Sequence, residues 1–318
     1  MTKLILCFGN VGLDMVPANS PGSRTCAYEA LLGGAITNTA VILSLLNDRV
    51  IMLSKTGKDL LSGKIIDLIR EKGVITDHIA RSPDVKASLA FAEIDSKGDS
   101  SYTFYQTCGP ALSFRPRELS SSILDNISVL HTGSKFSYDD HTHMSVLDLA
   151  RKAYARNVMV TFDPNWREGR VRDEKTARKR IRRLLPHVGL LKLSVKDALG
   201  ITEKRTARAA LNDILNDLNG SLVVTDGPSG SFYWNGKKEV FQNAFKVAVA
   251  DTIGAGDAFS AGLIHRYVMY GKDRFAVEKK ENLCYASALS AMVCAGKGAQ
   301  GILRDHPQVL RFLRSRCA

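Results

Sequence analysis

The residues of this chain best suited to chemistry are loop glycines, carboxylates and one amide, each set beside an apolar run. In DTIGAGDAFSAG (251–262), Gly254, Ala255 and Gly256 lead directly into Asp257 and an apolar stretch. That pattern predicts a helix starting at the glycines. The amides of Ala255, Gly256 and Asp257 would then point outward, where the helix dipole favours negative charge. Glycine matters because a side chain would keep a phosphate away from those amides. An anion hole with a carboxylate on its rim suits phosphoryl transfer, in which a protein mainly positions reactants and stabilises charge on the moving group. Asp257 could take the proton of the acceptor hydroxyl, a step typically worth ~10²–10⁴-fold. A helix cap would need no companions, and four other stretches supply them.

FGNVGLD places Asp14 just after a first apolar run, and LLGGAITNTAV sets Gly33 and Gly34 before a helical pattern carrying Asn38. The glycines permit close backbone approach, and Asn38 can hydrogen-bond a hydroxyl. TFDPNWR gathers Asp163, Asn165 and Arg167 in one turn, although an Asp-Pro turn explains that stretch equally. VVTDGPSG offers Thr225, Gly227 and Gly230 after another apolar run, fitting either a phosphate contact or a plain hairpin turn.

These residues need elements to position them. LILCF (4–8), VIMLS (50–54), SVLHTG (128–133), VMVTFD (158–163), GLLKLS (189–194) and SLVVTDG (221–227) read as short buried strands. TNTAVILSLLN, LLSGKIIDLIREKG and MSVLDLARKAYARN read as helices, each ending near Gly or Asn. The alternation predicts an α/β fold: a central, mostly parallel sheet between helices. Ligands bind beyond the carboxyl ends of such strands, where the loaded stretches fall. Two segments break the rhythm. Residues 87–107 read as two alternating strands around a polar turn containing Gly98, and residues 11–30 carry Pro17, Pro21 and Gly22 with little helical pattern. Together they predict a small β lid, formed roughly by 11–30 and 87–110, on one domain spanning 1–318.

Composition narrows the classes. The 318 residues are 45% hydrophobic and 24% charged, ample for a large core. No stretch approaches the roughly 18–20 apolar residues of a membrane helix. The apolar run at Leu4–Phe8 is short for a secretory signal and reads as a buried strand. Six cysteines lack metal-knuckle or CxxC spacing, so free thiols in the cytoplasm are expected. His141 and His143 adjoin two aspartates but lack a further ligand cluster, and a polar loop or helix cap is expected there. The net charge of +12 raises nucleic acid as a partner. Half of it lies in 167–183, where nine basic and three acidic residues surround a thin stripe of Ala177, Ile181, Leu184 and Leu185. No aromatics interleave with the arginines as a single-strand platform requires. A solvated helix is expected, with no dedicated nucleic-acid surface.

DTIGAGDAFSAG and LLGGAITNTAV resemble the C-terminal and N-terminal signatures of the ribokinase-like, or PfkB, carbohydrate kinases, and the other stretches follow in that family's order. The resemblance implies transfer of the ATP γ-phosphate to a sugar hydroxymethyl group with Mg²⁺. Asp257 would be the base and Gly254, Ala255 and Gly256 the anion hole. Asp14, Gly33, Gly34, Asn38 and Arg167 would surround the sugar. Thr225, Gly227, Gly230 and Ser287 would line the nucleotide. The backbone of Asp251 and Ile253 matches positions that bind a monovalent cation such as K⁺ in some members. A homodimer through the lid is implied as well.

TFDPNWR and LKLS look most like the fructokinase and 2-keto-3-deoxygluconate kinase branches. Three positions depart from the family. Its Asn-x-x-Glu element, tied indirectly to Mg²⁺, appears as Ser194 and Asp197, with a shorter reach. FYQTCGPALSF carries Gln106 and lacks the acid that fructokinases place there. Ser287 stands where an Asn is frequent, whereas Lys297, Gly298 and Ala299 match the segment that follows. The expected activity is therefore phosphorylation of a fructose-like sugar or a sugar acid. A nucleoside kinase and a non-catalytic sugar- or nucleotide-binding regulator are the alternatives, and the intact GAGD argues against the regulator.

Overall fold

Leu4–Phe8 forms β1, and its alternation feeds two cores at once. Leu6 and Phe8 enter one apolar layer, while Ile5 and Cys7 enter the layer on the opposite face. A strand buried on both faces must read as a continuous apolar run, as LILCF does. The remaining strands are β2 (Gly12–Pro17), β3 (Tyr28–Gly33), β4 (Arg49–Gly57), β5 (Ile79–Ser82), β6 (Ser88–Ile94), β7 (Ser100–Tyr105), β8 (Ile127–Gly133) and β9 (Met159–Asp163). They continue with β10 (Leu190–Ser194), β11 (Ser221–Thr225), β12 (Ser231–Trp234) and β13 (Lys238–Gln242). In this computed structural model, residues 4–18, 27–94, 100–105, 109–114, 118, 121–169 and 171–316 are described. Pro21, Gly22, Gly98 and Gln106 lie outside them, as do three of the six cysteines, Cys26, Cys108 and Cys317.

The large sheet runs β13-β12-β11-β10-β9-β8-β1-β4-β5, with every neighbour from β11 to β5 parallel and only β12 and β13 antiparallel. A smaller sheet runs β3-β2-β6-β7, so the two irregular segments of the sequence do join in one appended layer. Its central pair, β2 and β6, is parallel, and the flanking pairs are antiparallel. The turn joining β6 and β7 lies outside the described residues.

Helices cover both faces of the large sheet. One side holds α3 (His143–Ala155), α4 (Glu174–Leu184), α5 (Val195–Thr202) and α6 (Ala207–Leu215). The other holds α1 (Ala35–Leu45), α2 (Leu60–Glu71), α7 (Ala255–Val277), α8 (Lys279–Cys294) and α9 (His306–Arg316). The basic α4 buries Ala177, Ile181 and Leu184; contrary to a wholly solvated helix, Arg178, Arg180 and Arg182 are half-buried, with Arg180 paired to Asp140 and Arg182 to Asp213 and Asp217. Local chemistry sets several starts. Asp59 caps α2 by accepting from Ser62 N, Asp173 caps α4 by accepting from Thr176 N, and Thr206 caps α6. His141 and His143 lie at the entry to α3, where His143 Nδ1 pairs with the Ser137 carbonyl at 2.9 Å. Among the described residues no helix is long and apolar enough to cross a membrane.

Candidate active site

The candidate residues gather where parallel strands end and α7 begins. Gly254, the residue before α7, has φ 80° and ψ −3°, a left-handed conformation open to glycine. A Cβ there would stand 2.6 Å from Ala299 Cα, so the loop at 296–301 packs directly on the helix start. The amides of Gly256 and Asp257 fall in the first turn, where no carbonyl of the helix can accept from them. The Ala255 amide differs from expectation, because it closes a turn onto Thr252 O at 3.3 Å. Gly256 differs too: its missing Cβ clears the Lys192 ammonium, 2.9 Å from where that carbon would be.

Asp257 is 8% exposed and bonded from two sides. Asn38 Nδ2 donates to its Oδ2 at 2.8 Å, and Thr39 Oγ1 donates to its backbone carbonyl at 3.3 Å. Burial pushes the carboxyl up to about 6; the Asn38 hydrogen bond opposes this, the Asp163 charge adds to it, and Lys192 and Arg167 oppose it. A carboxylate poised there is half-matched to proton transfer near neutral pH. Asn38 therefore steers Asp257, a role the sequence did not suggest. Its own Oδ1 is buried without a protein partner, leaving an acceptor for a bound hydroxyl.

Asn38 is set by the chain before it. Gly34 has φ 99° and precedes α1, with a Cβ position 3.0 Å from Asn10 O. Thr37 Oγ1 donates to that same carbonyl at 2.9 Å, tying α1 to the end of β1. Gly33 sits on β3 opposite Gly12 of β2, and its Cβ position is 2.4 Å from Asp14 Oδ1. Gly33 thus makes room for the Asp14 carboxylate of the small sheet.

At the end of β9, Asp163 anchors a buried polar cluster. Its Oδ2 accepts from Lys192 Nζ at 2.8 Å and from Ser260 Oγ at 3.1 Å. Its Oδ1 accepts from Asn165 N at 3.1 Å, which holds Asn165 at φ 41° and turns the chain toward the exposed Arg167. Lys192 is 7% exposed on β10, between Leu191 and Leu193. Burial works to lower its pKa, but the charge and hydrogen bond of Asp163, with Asp197 and Asp257, hold it above the usual lysine value. On the adjoining β8, His131 Nδ1 pairs with Thr161 Oγ1 of β9 at 2.9 Å. Burial pushes the His131 imidazole down to about 4, against the Asp163 charge. The sequence reading passed over Lys192, Ser260 and His131. A lysine inside the apolar run GLLKLS was the available signal, since a buried ammonium requires a partner.

Other candidates lie around this centre. Thr225 ends β11, and its hydroxyl donates to Leu193 O at 3.5 Å. The Asp226–Gly230 turn is the tight link between β11 and β12, with Asp226 N donating to Gly230 O at 2.8 Å. Gly230, at φ 107°, is required by packing, because a Cβ would meet Gln242 O at 2.2 Å. At Gly227 nothing stands within 4 Å of the Cβ position, so a ligand can approach its backbone. Ser287 is buried on α8, its hydroxyl 3.3 Å from that of Ser231. Asp197 closes a capping box at α5: its Oδ2 accepts from Ser194 N at 2.8 Å and Ser194 Oγ at 2.7 Å. Burial raises the Asp197 pKa, as does the Asp163 charge, while the Ser194 bonds and Lys192 lower it. Asp251 accepts from Ile253 N at 2.9 Å and from Gly298 N at 3.0 Å, joining the loop before α7 to the 296–301 loop.

Among the described residues no group of three or more His, Cys, Asp or Glu is arranged to hold a metal ion by itself.

The fold, a mostly parallel sheet with a small second sheet, is that of phosphotransferases acting on sugars. The chain belongs to the pfkB family of carbohydrate kinases, whose pattern matches residues 2–305. Among curated relatives, a probable fructokinase-3 of Arabidopsis thaliana is 28% identical over 98% of this chain and 91% of its own length. A fructokinase from Xylella fastidiosa, solved with bound ATP, superposes with a TM-score of 0.87 at 25% identity, covering both chains fully. A fructokinase from Vibrio cholerae, solved with fructose, ADP and calcium, shares the fold with a TM-score of 0.87 at 21% identity, covering 98% of this chain and 99% of that one.

Proposed function

We propose that this chain is an ATP-dependent fructokinase that phosphorylates a hydroxymethyl group of fructose. The observation that carries the reading is Asp257: a buried carboxyl held at the start of α7 by Asn38, with a pKa of about 6. Fructokinase names among the relatives supply the acceptor. Asp14, Asn38 and Arg167 would hold the sugar hydroxyls, with Gly33 and Gly34 allowing the backbone close. Asn38 Oδ1 would accept from a hydroxyl while its Nδ2 keeps the Asp257 carboxylate aimed at the one that attacks. Asp257 removes that proton, and the Gly256 and Asp257 amides, next to Gly254 and Ala255, face the transferred phosphate. Thr225 and Gly227 would border the nucleotide, with Gly230 shaping their turn and Ser287 supporting β12 from behind. Bound Mg²⁺ supplies neutralisation of phosphate charge, and Asp197 would reach its water shell through the oxygen outside the capping box. The backbone at Asp251 and Ile253 would offer carbonyls to K⁺.

The chain would work as one domain in the cytoplasm, with β2, β3, β6 and β7 as the lid. A homodimer through that lid is supported by its exposed aromatics: Tyr28 and Tyr105 each stack edge-on against Phe91, at 5.0 and 5.4 Å. The activity is tested by coupled ADP release with ATP, Mg²⁺ and a panel of fructose, 2-keto-3-deoxygluconate and ribonucleosides. Fructose is expected to give the highest kcat/KM. Preference for the sugar acid or a nucleoside would overturn the acceptor, and ligand binding without turnover on any would mark a regulator.

A further inference from the structure

A buried cation touches the start of α7, and the mechanism above leaves it idle. Lys192 projects from β10 so that its ammonium lies 2.9 Å from where a Gly256 Cβ would stand. No side chain therefore separates that charge from the first turn of the helix. Asp163 Oδ2 fixes the ammonium at 2.8 Å, and Ser260, one turn along α7, holds the same oxygen at 3.1 Å. The second glycine of GAGD thus lets the Lys192 ammonium of β10 lie close against the first turn of α7.

We propose that Lys192 is a positioning residue for proton transfer: held under Gly256 by Asp163, it keeps the Asp257 carboxylate ionised where the enzyme works. The inference rests on Asp257 being the base. Four groups set the charge balance at Asp257. Asn38 on α1 donates to it, Asp163 at the end of β9 repels its ionised form, and Lys192 on β10 and Arg167 in the loop after β9 favour that form. Arg167 is exposed, so water screens it. Lys192 is enclosed, and a charge in a low-dielectric interior acts more strongly over the same distance. Asp197 on α5 also faces Lys192 and helps keep it protonated.

The alternative is a purely structural ion pair, in which Lys192 only neutralises Asp163. The pH profile of kcat/KM for fructose, with ATP and Mg²⁺, separates the two. In Lys192→Met the acid limb is expected to move up by about one pH unit, an about fivefold loss at pH 6 that grows toward about tenfold at lower pH and shrinks to within about twofold at pH 9. Asp163→Asn is expected to move the limb down, because it removes a repelling carboxylate. Lys192→Met alone leaves Asp163 buried and unpaired, which threatens folding. The double variant Lys192→Met/Asp163→Asn has no unpaired charge, and its limb should lie about one unit above that of Asp163→Asn. An unmoved or lowered limb in Lys192→Met, or in the double variant relative to Asp163→Asn, overturns the proposal. So does a loss equal at every pH. Asp257→Asn serves as the control. Substantial turnover in that variant would defeat the base reading itself, whereas an inactive Asp257→Asn beside an unmoved Lys192→Met limb defeats only the role of Lys192.

Discussion

Replacing Asp257 by Asn should inactivate the enzyme and stabilise the fold, and the second effect tests the site more sharply. The Asp257 carboxyl titrates at about 6 in the folded chain, against an ordinary value of 3.8, because burial disfavours its charge. Above pH 6 the native state carries this anion at a cost of about two pKa units, on the order of 3 kcal/mol. Asn has the same shape and can still accept from Asn38 Nδ2, so it removes the cost and keeps the contact. For a chain of 318 residues that gain corresponds to a thermal midpoint roughly 4 °C higher at pH 7.5. The sign follows from proton binding. Between pH 6 and 3.8 the native protein binds more protons than the unfolded chain, so wild type recovers stability as pH falls and the gap closes. Calorimetry or urea unfolding of both proteins at pH 7.5, 6 and 5 measures it, and kcat should fall at least ~10²-fold in the variant. A variant no more stable than wild type at pH 7.5, or a gap independent of pH, would falsify the claim that a desolvated base is held there.

Two further outcomes follow from the same geometry. His131 is neutral in the fold, with its pKa pushed down to about 4, so the unfolded chain gains a proton first as pH falls below 6.5. Stability from this group is complete above pH 6.5 and is lost toward pH 4, by up to about 3 kcal/mol, and urea unfolding of wild type against His131→Asn should show that pH-dependent difference. A constant difference would mean that His131 is not desolvated. Gly33→Ala would put a methyl 2.4 Å from Asp14 Oδ1 and 2.8 Å from its backbone N, displacing that carboxylate and the β2 backbone that carries it. Loss of one charged hydrogen bond to the sugar should raise KM for fructose about 10–100-fold, with KM for ATP within twofold. An equal rise in both would remove Asp14 from the sugar side.

Much of the architecture was legible in the chain because strands buried on both faces must be written as apolar runs. LILCF, VIMLS and GLLKLS announce themselves in this way, and the interruption at 11–30 and 87–107 marks the second sheet. Boundaries were less exact: α1 begins at Ala35, ahead of the TNTAV pattern, because the left-handed Gly34 rather than a polar cap starts it. GAGD was legible as a helix start with an acid because left-handed glycine and outward amides are local properties. The reasons for its glycines were not. Gly254 faces Ala299, Gly256 faces Lys192 and Gly33 faces Asp14, and each of those contacts joins residues distant in sequence.

The sequence by itself determined which residue types could do phosphoryl transfer and the order of elements that would present them. Only the tertiary structure decided how those residues are coupled. Asn38 meets Asp257 across 219 positions of chain, and Asp163 meets Lys192 because β9 and β10 lie side by side with Thr161 opposite Leu190. Strand order and helix packing set those distances, and desolvation, which shifts Asp257 and His131, exists only once the core has closed around them. A carboxylate in a loop is an ordinary acid in the unfolded chain. Asp257 instead titrates near pH 6 when the fold removes its water and fixes the charges that face it.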